Sequence, residues 1–164
     1  MQDWPRITVV TPSYNQAPFL RETIESVLNQ NYPNLEYFVV DGGSTDGSVE
    51  IIREYESRIN GWVSEKDEGQ ADAIGKGFDQ ATGDLIGWLN SDDLYFPNAL
   101  RKIGEAYAKQ PDASLYVGGL AVGGYNDGPI RQCTIPPPGW AWLPQWGQFI
   151  VTQPSSFYSR DIYQ

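Results

Sequence analysis

Residues 35–48 read LEYFVVDGGSTDGS, and this stretch decides the fold class. Its first part, Leu35 to Val40, is rich in β-branched and aromatic side chains, which predicts a buried β-strand. Glycine, serine and aspartate follow from Asp41 to Gly47, and apolar residues with helical spacing come after them. A strand that passes through a polar loop into a helix is typical of βαβ units, whose strands run parallel. The stretch therefore predicts an α/β fold.

The same alternation of strand and helix extends in both directions from this stretch. Further strands are predicted at Arg6 to Val10, Trp62 to Ser64, Leu85 to Leu89, Leu115 to Val117 and Ser155 to Ser159. Apolar residues at helical spacing predict a helix after each of the four strands before residue 90. We therefore expect a Rossmann-like fold, with a mainly parallel sheet flanked by helices and a smaller C-terminal β/loop region.

Three of the predicted helices carry specific expectations. The second places its apolar residues between Ile51 and Ile59 on one face. The third, from about Gln70 to Ala81, is interrupted by Gly75 and Gly77, each of which costs roughly 1 kcal/mol relative to Ala. That cost predicts a close approach of the helix backbone to another part of the molecule. The fourth helix is expected to follow Pro97, a residue suited to a first turn, and to run until Pro111.

The composition excludes several classes of function. Lys and Arg number 11 against 21 Asp and Glu, and the net charge of −10 disfavours nucleic acid and anionic membrane surfaces as partners. The chain has no His, which excludes a His-based triad, general base or metal ligand. Cys133 is the only cysteine, so neither a disulfide nor a thiolate zinc site forms within the chain. Its chemistry must come from carboxylates, hydroxyls, amides, backbone groups and hard metal ions.

Membrane insertion and secretion are not expected from the sequence. No run approaches the roughly 20 apolar residues of a membrane span. Residues 1–4 lack the basic start and the apolar core of a signal peptide. We therefore expect a cytoplasmic location.

Three polar clusters follow predicted strands, at Thr11 to Asn15, Asp41 to Gly47 and Asn90 to Asp93. The carboxyl ends of parallel strands meet at one edge of a sheet, where open α/β folds bind ligands. Strands about 5 Å apart would bring the clusters within about 10 to 15 Å of each other, the span of a nucleoside diphosphate. The loop after Val40 also fits a plain joint between strand and helix, in which Asp46 or Ser48 caps the helix.

The third cluster carries two adjacent carboxylates directly after an apolar strand. Asp92 and Asp93 repel each other unless solvent, a cation or a helix terminus stabilises them. Both lie too far before the helix at Pro97 to cap it directly. Hard cations bind carboxylate oxygens and keep positions for water and phosphate, so the pair predicts a Mg²⁺ or Mn²⁺ site. The G-x-G-x-x-G fingerprint and the P-loop are both absent, which argues against dinucleotide binding and P-loop hydrolysis of nucleotides.

These clusters together resemble the family 2 glycosyltransferases of the GT-A fold. The segments that carry the resemblance are VVTPSYN at Val9 to Asn15, VVDGGSTDGS at Val39 to Ser48 and WLNSDD at Trp88 to Asp93. Their order and spacing match the family, and the likeness covers Arg6 to about Tyr107. A weaker similarity, at Gln153 to Arg160, corresponds to the strand before the acceptor-side region of the family.

The resemblance implies a role for several residues of these motifs. Pro12 and Tyr14 would flank the base of a nucleotide, usually uracil, and Asp41 would accept a hydrogen bond from the edge of the base. Asp92 would lie near the ribose or the donor sugar. Asp93 would bind the metal.

The resemblance also implies a wider donor site. Ser44 and Asp72 belong to it, and the segment that borders the donor is represented by Glu65, Asp67, Gly69, Asp72 and Ala73. Asn90 stands where many members have the first Asp of their metal-binding motif, so the metal would have fewer charged ligands here. Gly75 stands where the family often has Asn, which leaves the role of Lys76 open.

The implied activity is an inverting, metal-dependent glycosyl transfer. The donor is a nucleotide sugar, ordinarily a UDP-sugar, the cofactor is Mn²⁺ or Mg²⁺, and the acceptor is a hydroxyl of a glycan or lipid-linked molecule, as in polysaccharide biosynthesis. Residues 1–110 would form the donor-binding region. Residues 111–164 would supply the acceptor-side strands and loop, as the truncated end of the same domain.

Inverting transfer needs a general base within hydrogen-bond reach of the acceptor hydroxyl. The base of the family follows the strand that resembles Gln153 to Arg160, so we expect it beyond Gln164. Asp161 is a candidate, although its position favours a helix start, and Asp127 comes next. The alternative is a non-catalytic fragment that binds nucleotide sugars. A sugar nucleotidyltransferase is disfavoured, because no glycine-rich basic loop follows the first strand.

Three tryptophans close to the Pro-rich loop at 136–139 have two possible roles. They are Trp140, Trp142 and Trp146. Their faces could stack on an acceptor sugar, and packing under the loop is the favoured alternative.

Overall fold

A computed structural model describes residues 3–122, 131–133 and 153–163. Its strands are β1 (Ile7–Ser13), β2 (Leu35–Asp41), β3 (Gly61–Ser64), β4 (Leu85–Trp88), β5 (Leu115–Val117), β6 (Leu120–Val122), β7 (Arg131–Cys133) and β8 (Ser156–Ser159). Its helices are α1 (Ala17–Leu28), α2 (Ser48–Glu54), α3 (Gln70–Asp79) and α4 (Ala99–Lys109). None of the helices in the described ranges is both long enough and apolar enough to cross a membrane.

The main sheet has six strands in the order β3-β2-β1-β4-β8-β5. The first four strands in this order are parallel to their neighbours, while β8 runs antiparallel to both β4 and β5. This confirms the predicted α/β class with a mainly parallel sheet flanked by helices. Strands β6 and β7 form a separate antiparallel pair. The carboxyl ends of β1 to β4 therefore meet at one edge.

The two faces of the sheet are covered unequally. Alternate residues of β1, such as Ile7 and Val9, belong to a large buried cluster that includes apolar residues of α1, α2 and α4. Val10 and Val40 belong to a smaller cluster, on the opposite face, with Ala73 of α3. Full burial of each such side chain contributes about 1.5 to 3 kcal/mol. The face that carries α3 is thus the thinner one.

The predicted approach of the α3 backbone is confirmed at Gly77 and wrong at Gly75. A Cβ atom on Gly77 would lie 2.4 Å from Cγ1 of Val10, so only glycine lets α3 lie this close to β1. A Cβ atom on Gly75 would meet nothing within 4 Å. The spacing of the two glycines did not distinguish the side of the helix that faces the sheet.

Several predicted boundaries differ from the structure, and the largest differences are at the ends of β1 and α2. Strand β1 continues past Val10 to Ser13, because its pairing with β2 extends to Asp41. Helix α2 ends at Glu54, where the N–H of Tyr55 turns to the carbonyl of Ile52 and a short 3-10 turn follows. Helix α4 follows Pro97, as expected, but Pro97 is not in its first turn, because the helix begins at Ala99 after Asn98, which has a positive φ.

A buried carboxylate links the amino-terminal ends of the parallel strands, opposite the carboxyl ends that meet at one edge. Glu36 of β2 accepts hydrogen bonds from the hydroxyl of Thr8 and from both the N–H and the hydroxyl of Thr82. Arg6 donates to the Thr82 hydroxyl and lies 3.9 Å from the Glu36 carboxylate. These contacts hold β1, β2 and the turn before β4 together, far from the carboxyl ends of the strands.

Candidate donor-binding site

An open cleft of about 610 Å³ lies at the carboxyl ends of the parallel strands. Its walls come from the ends of β1, β2 and β4 and from the loop that joins β3 to α3. The lining residues are Pro12, Ser13, Tyr14, Gln16, Gly42, Lys66, Asp67, Gly69, Gln70, Ala73, Asn90, Ser91 and Asp92. The cleft thus lies where the three polar clusters of the sequence meet.

The end of β1 presents an exposed aromatic ring to this cleft. Tyr14 is 62% exposed, an unusual state for a large aromatic side chain, and Pro12 lies beside the cleft as well. The next residue, Asn15, has a φ of 52°. Its N–H donates to the hydroxyl of Ser44, and its side-chain oxygen accepts from the N–H of Thr45. The loops after β1 and β2 are therefore fastened together.

Asp41 is buried beneath the cleft rather than exposed in it. Its carboxylate is 0% exposed and accepts hydrogen bonds from the N–H groups of Gly43 and Ser44 and from the hydroxyls of Ser44 and Ser64. Neither Asp41 nor Ser44 is among the residues that line the cleft. The implied contact between Asp41 and a nucleobase stays a prediction, and in this structure the carboxylate holds the loop.

Asp46 joins the N-termini of two helices. Its carboxylate accepts from the N–H and the hydroxyl of Ser48, the first residue of α2, and from the N–H of Ala17, the first residue of α1. Burial opposes ionisation of this group, but the hydrogen bonds from Ser48 and Ala17 hold the pKa of Asp46 below its usual value. The N-cap of α2 is Gly47, so neither Asp46 nor Ser48 is its cap residue, but Asp46 binds the first N–H of the helix.

The loop after β4 brings the two adjacent carboxylates to the cleft. Asp92 is exposed and lines the cleft, while Asp93 is half-buried behind it. The hydroxyl of Thr23 donates to the carbonyl oxygens of Ser91 and Asp93, which ties this turn to α1. Burial, and then the charge of Asp92, raise the pKa of the Asp93 carboxyl. No cationic side chain pairs with either carboxylate among the residues that the structure describes.

This turn has the chemistry of a hard-cation site, with few protein ligands. In the described ranges, no group of three or more His, Cys, Asp or Glu side chains is placed to hold a metal. Mg²⁺ is commonly bound through one or two carboxylates, with substrate phosphates and water as the other ligands. Asp92 at the cleft and Asp93 behind it, neither in an ion pair with a described residue, fit that pattern.

The charged residues of the loop between β3 and α3 and of α3 itself fall into two groups, those that line the cleft and those that bond to the protein. Lys66 and Asp67 line the cleft. Asp72 instead accepts from the N–H of Glu68, and this hydrogen bond, together with Lys76, lowers the pKa of Asp72. Lys76 lies 2.8 Å from Glu65 and 3.2 Å from Asp72. Asp72 is thus placed in an ion-pair cluster at the start of α3 and is not a lining residue.

An amide side chain bridges the cleft and the C-terminal segment. Gln70, the first residue of α3, donates to the side-chain oxygen of Asn90, and Asn90 donates in turn to Gln153. In the sequence, Asn90 belongs to the third polar cluster and stands where many family members have Asp. Neither Gln70 nor Lys66 was identified from the sequence, because only the folded cleft shows that they face it.

Asp161 lies at the wrong edge of the sheet for a general base. Strand β8 runs antiparallel to β4, so Ser159 pairs with Leu85, at the start of β4. The N–H of Arg160 donates to the carbonyl of Asp84. Asp161 follows these residues at the amino-terminal edge of the parallel strands, whereas the cleft lies at the carboxyl edge. This position argues against Asp161 as the base. The three tryptophans and Asp127 lie outside the described residues.

Curated proteins with similar sequences are glycosyltransferases. A protein of Bacillus subtilis (strain 168) named "Putative teichuronic acid biosynthesis glycosyltransferase TuaG" is 38% identical over 106 residues, which cover 62% of this chain and 42% of TuaG. An uncharacterized glycosyltransferase of Mycobacterium tuberculosis is 35% identical over 123 residues, which cover 73% of this chain and 47% of that protein. The chain thus spans less than half the length of either relative.

Solved structures with the same fold include nucleotide complexes of glycosyltransferases. The mannosyltransferase PcManGT from Pyrobaculum calidifontis, solved with GDP-Man and Mn²⁺, superposes with a TM-score of 0.62 at 30% identity, covering 69% of this chain and 35% of that chain. S. aureus TarS 1-349, solved with UDP, superposes with a TM-score of 0.57 at 26% identity, covering 67% and 34% of the two chains. These neighbours confirm the GT-A fold.

The family match covers almost the whole chain. A family model described as "Glycosyl transferase family 2" matches residues 8–162, from the second residue of β1 to beyond β8. This range includes the cleft, the turn with its two carboxylates and the C-terminal segment that returns to the sheet. The chain belongs to glycosyl transferase family 2.

Proposed function

We propose that this protein transfers a sugar from a nucleoside diphosphate sugar to an acceptor hydroxyl, with inversion at the anomeric carbon. The observation that carries the proposal is the cleft itself. It combines an exposed aromatic face on Tyr14, a cation on Lys66 and an exposed carboxylate on Asp92, all at the carboxyl edge of a parallel sheet. A base, a diphosphate and a hard cation need these three kinds of group.

Different side chains around the cleft would bind different parts of the donor. The ring of Tyr14 offers a stacking surface for the base. Lys66 offers positive charge to the diphosphate in a protein whose net charge is −10. A divalent cation held by Asp92 and Asp93 would stabilise the negative charge of the departing diphosphate. The family relationship to PcManGT and TarS, solved with GDP-Man and UDP, supports a nucleotide-sugar donor.

In the transfer itself, the acceptor oxygen forms a bond to the anomeric carbon while the bond from that carbon to the diphosphate oxygen breaks. The acceptor proton passes to a general base. The relationship to TuaG supports a glycan acceptor in polysaccharide biosynthesis. UDP-sugars are the proposed donors, as the motif resemblance implies.

A second candidate function is binding of the nucleotide sugar without transfer. The position of Asp161, at the edge of the sheet away from the cleft, favours it, because that carboxylate is out of reach of a bound donor. The two functions differ in their product. A transferase forms a new glycoside, whereas a binding protein retains the donor unchanged.

The proposal is tested by titrating a panel of UDP- and GDP-sugars into the chain with Mn²⁺ and with excess chelator. Binding should depend on the metal, and Asp93→Asn should remove most of that dependence. Mass spectrometry of reactions with glycan acceptors then separates transfer from binding. Equal affinity with metal and with chelator would overturn the metal assignment, and no affinity for any of these sugars would overturn the donor assignment.

A further inference from the structure

The carboxylate expected to contact a nucleobase is buried and hydrogen-bonded to the protein. The side chain of Asp41 is 0% exposed, and its two oxygens accept four hydrogen bonds from the protein. Three of these bonds end on Oδ2 and one on Oδ1. Because the side chain is fully buried, a base could reach Asp41 only if the loop after β2 moved.

A different carboxylate stands in front of the next residue. An ideal Cβ atom on Gly42 would lie 2.7 Å from Oδ2 and 3.1 Å from Cγ of Asp67. Gly42 is not among the residues of positive φ, so its backbone conformation does not require glycine. The absence of a side chain instead leaves room for the carboxylate of Asp67, which reaches across from the loop after β3.

The two oxygens of Asp67 have different surroundings. Oδ1 accepts from the N–H of Gly69 at 2.9 Å, which sets the orientation of the carboxylate. Oδ2 lies nearest to Gly42 and accepts no hydrogen bond from the part of the chain that the structure describes. Both Asp67 and Gly42 line the cleft, together with Pro12 and Tyr14. One carboxylate oxygen therefore remains available at the wall that also presents the stacking ring.

We propose that Asp67, and not Asp41, selects the nucleobase of the donor. The inference rests on the proposed function. A carboxylate oxygen can only accept, so it favours a base that presents a ring N–H at its Watson–Crick edge. Uracil and guanine present such an N–H, whereas cytosine presents an unprotonated ring nitrogen that would face the negative charge. The chain should therefore prefer UDP or GDP over CDP.

The decisive variant is Asp67→Asn. Its side-chain oxygen can still accept from Gly69, which leaves the amide NH₂ group in the position of Oδ2. This group repels the N–H of uracil and donates to the ring nitrogen of cytosine. Because a hydrogen bond to a charged group is worth roughly a factor of ten or more, the ratio of UDP to CDP affinity should fall by about 10-fold or more. Calorimetry with UDP, GDP and CDP in Mn²⁺ measures the change.

A transplanted carboxylate gives the second test. Asp67→Ala should abolish most of the preference, and Gly42→Asp in that background should restore it, because the new carboxylate enters the volume that Asp67 has left. Gly42→Asp alone should lower stability, since its Cβ atom would lie 2.7 Å from Oδ2 of Asp67. Asp41→Asn is the matched control, which should lower thermal stability but leave the UDP to CDP ratio unchanged.

The outcomes separate this inference from the proposed function. If the unaltered chain binds UDP or GDP, and Asp67→Asn leaves the ratio to CDP unchanged, then Asp67 does not select the base and the donor site stands. A change of ratio in Asp41→Asn alone would return the role to Asp41. If the unaltered chain binds none of the three nucleotides, the proposed function fails, and the inference that rests on it fails too.

Discussion

The side-chain N–H of Asn90 donates to Oε1 of Gln153 at 2.9 Å, and this bond has a fixed direction. Nε2 of Gln153 donates to the backbone carbonyl of Trp88 at 2.8 Å, and a carbonyl can only accept. Oε1 of Gln153 must therefore face Asn90 and needs a donor there. The oxygen of Asn90 then accepts from Gln70 at 2.7 Å. Position 90 thus requires a side chain that both donates and accepts.

Asn90→Asp should therefore weaken the site, although it adds a carboxylate next to Asp92. The new carboxylate would face Oε1 of Gln153, and rotation of the Gln153 amide would only move the conflict to the carbonyl of Trp88. An unmet acceptor of this kind costs about 1 to 3 kcal/mol. We expect lower stability to urea and no gain in the affinity for UDP with Mn²⁺.

The control for this prediction is the same substitution in a Gln153→Ala background. With the opposing oxygen removed, Asn90→Asp should cost less stability than it does in the unaltered chain, and the difference measures the coupling between the two residues. Tighter UDP binding by Asn90→Asp, with unchanged stability, would contradict this prediction and show that a carboxylate at position 90 can serve as a metal ligand.

Lys66 and Lys76 offer a matched pair for the charge of the cleft. Lys66 lines the cleft and forms no ion pair with a described residue, whereas Lys76 is paired with Glu65 and Asp72. Lys66→Gln should weaken UDP about threefold at low salt, since an exposed charge contributes modestly, and the loss should shrink as salt rises. Lys76→Gln should leave UDP affinity nearly unchanged. Equal losses in both variants would assign the effect to net charge alone.

The buried carboxylate at the other edge of the sheet predicts a pH dependence of stability. Burial opposes ionisation of Glu36, but hydrogen bonds from Thr8 and Thr82 outweigh it and hold the pKa of Glu36 below the usual 4.5. The ionised group therefore stabilises the fold above about pH 4.5, and this contribution is lost as the pH falls through the lowered pKa.

Glu36→Gln removes that contribution. It should lower the free energy of unfolding by about 2 kcal/mol at pH 7, because an amide NH₂ must face a group that donates. The difference from the unaltered chain should narrow below pH 4. Urea unfolding at pH 7 and at pH 3.5 measures this difference in the free energy of unfolding. Glu105→Gln, at an exposed position, is the control. A difference that is the same at pH 7 and pH 3.5 would show that the charge of Glu36 is not involved.

Sequence patterns within a few residues were enough to predict individual strands and the edge of the sheet where the cleft lies. The apolar run before Asp41 predicts β2, and the polar residues that follow β1, β2 and β4 predict the edge where the cleft lies. The position of β8 between β4 and β5 was not predictable in this way, since it depends on contacts between residues distant in sequence, such as Phe157 against Gly87.

The candidate site shows the same division. The motif residues Tyr14 and Asp92 do line the cleft, because Tyr14 directly follows β1 and Asp92 lies in the loop after β4, at the same edge of the sheet. Asp41 also ends a strand, but the donors provided by the glycine and serine residues after it enclose its carboxylate. Whether a carboxylate faces a cleft or a loop depends on these surrounding donors, which a motif does not specify.

The two glycines of α3 should respond in opposite directions to the same substitution. Gly77→Ala would place a Cβ atom 2.4 Å from Cγ1 and 2.8 Å from Cγ2 of Val10, which is fully buried in the centre of the sheet. Overpacking of this kind costs about 1 to 3 kcal/mol, which outweighs the helix preference of about 1 kcal/mol that alanine adds. Gly75→Ala meets no neighbour within 4 Å, so it should stabilise the chain through helix preference alone.

Urea unfolding of the two variants, and of Gly77→Ala combined with Val10→Ala, tests this assignment. If the clash with Val10 is the cause, removing its two methyl groups should make the Gly77 substitution cost less than it does alone. UDP affinity supplies a second measurement, because α3 carries Gln70 and Ala73 into the cleft and a displaced helix would move both. Equal stabilisation by the two alanine substitutions would show that α3 does not rest on β1 at this distance. Unchanged UDP affinity would then show that α3 can shift on this face without moving Gln70 and Ala73 in the cleft.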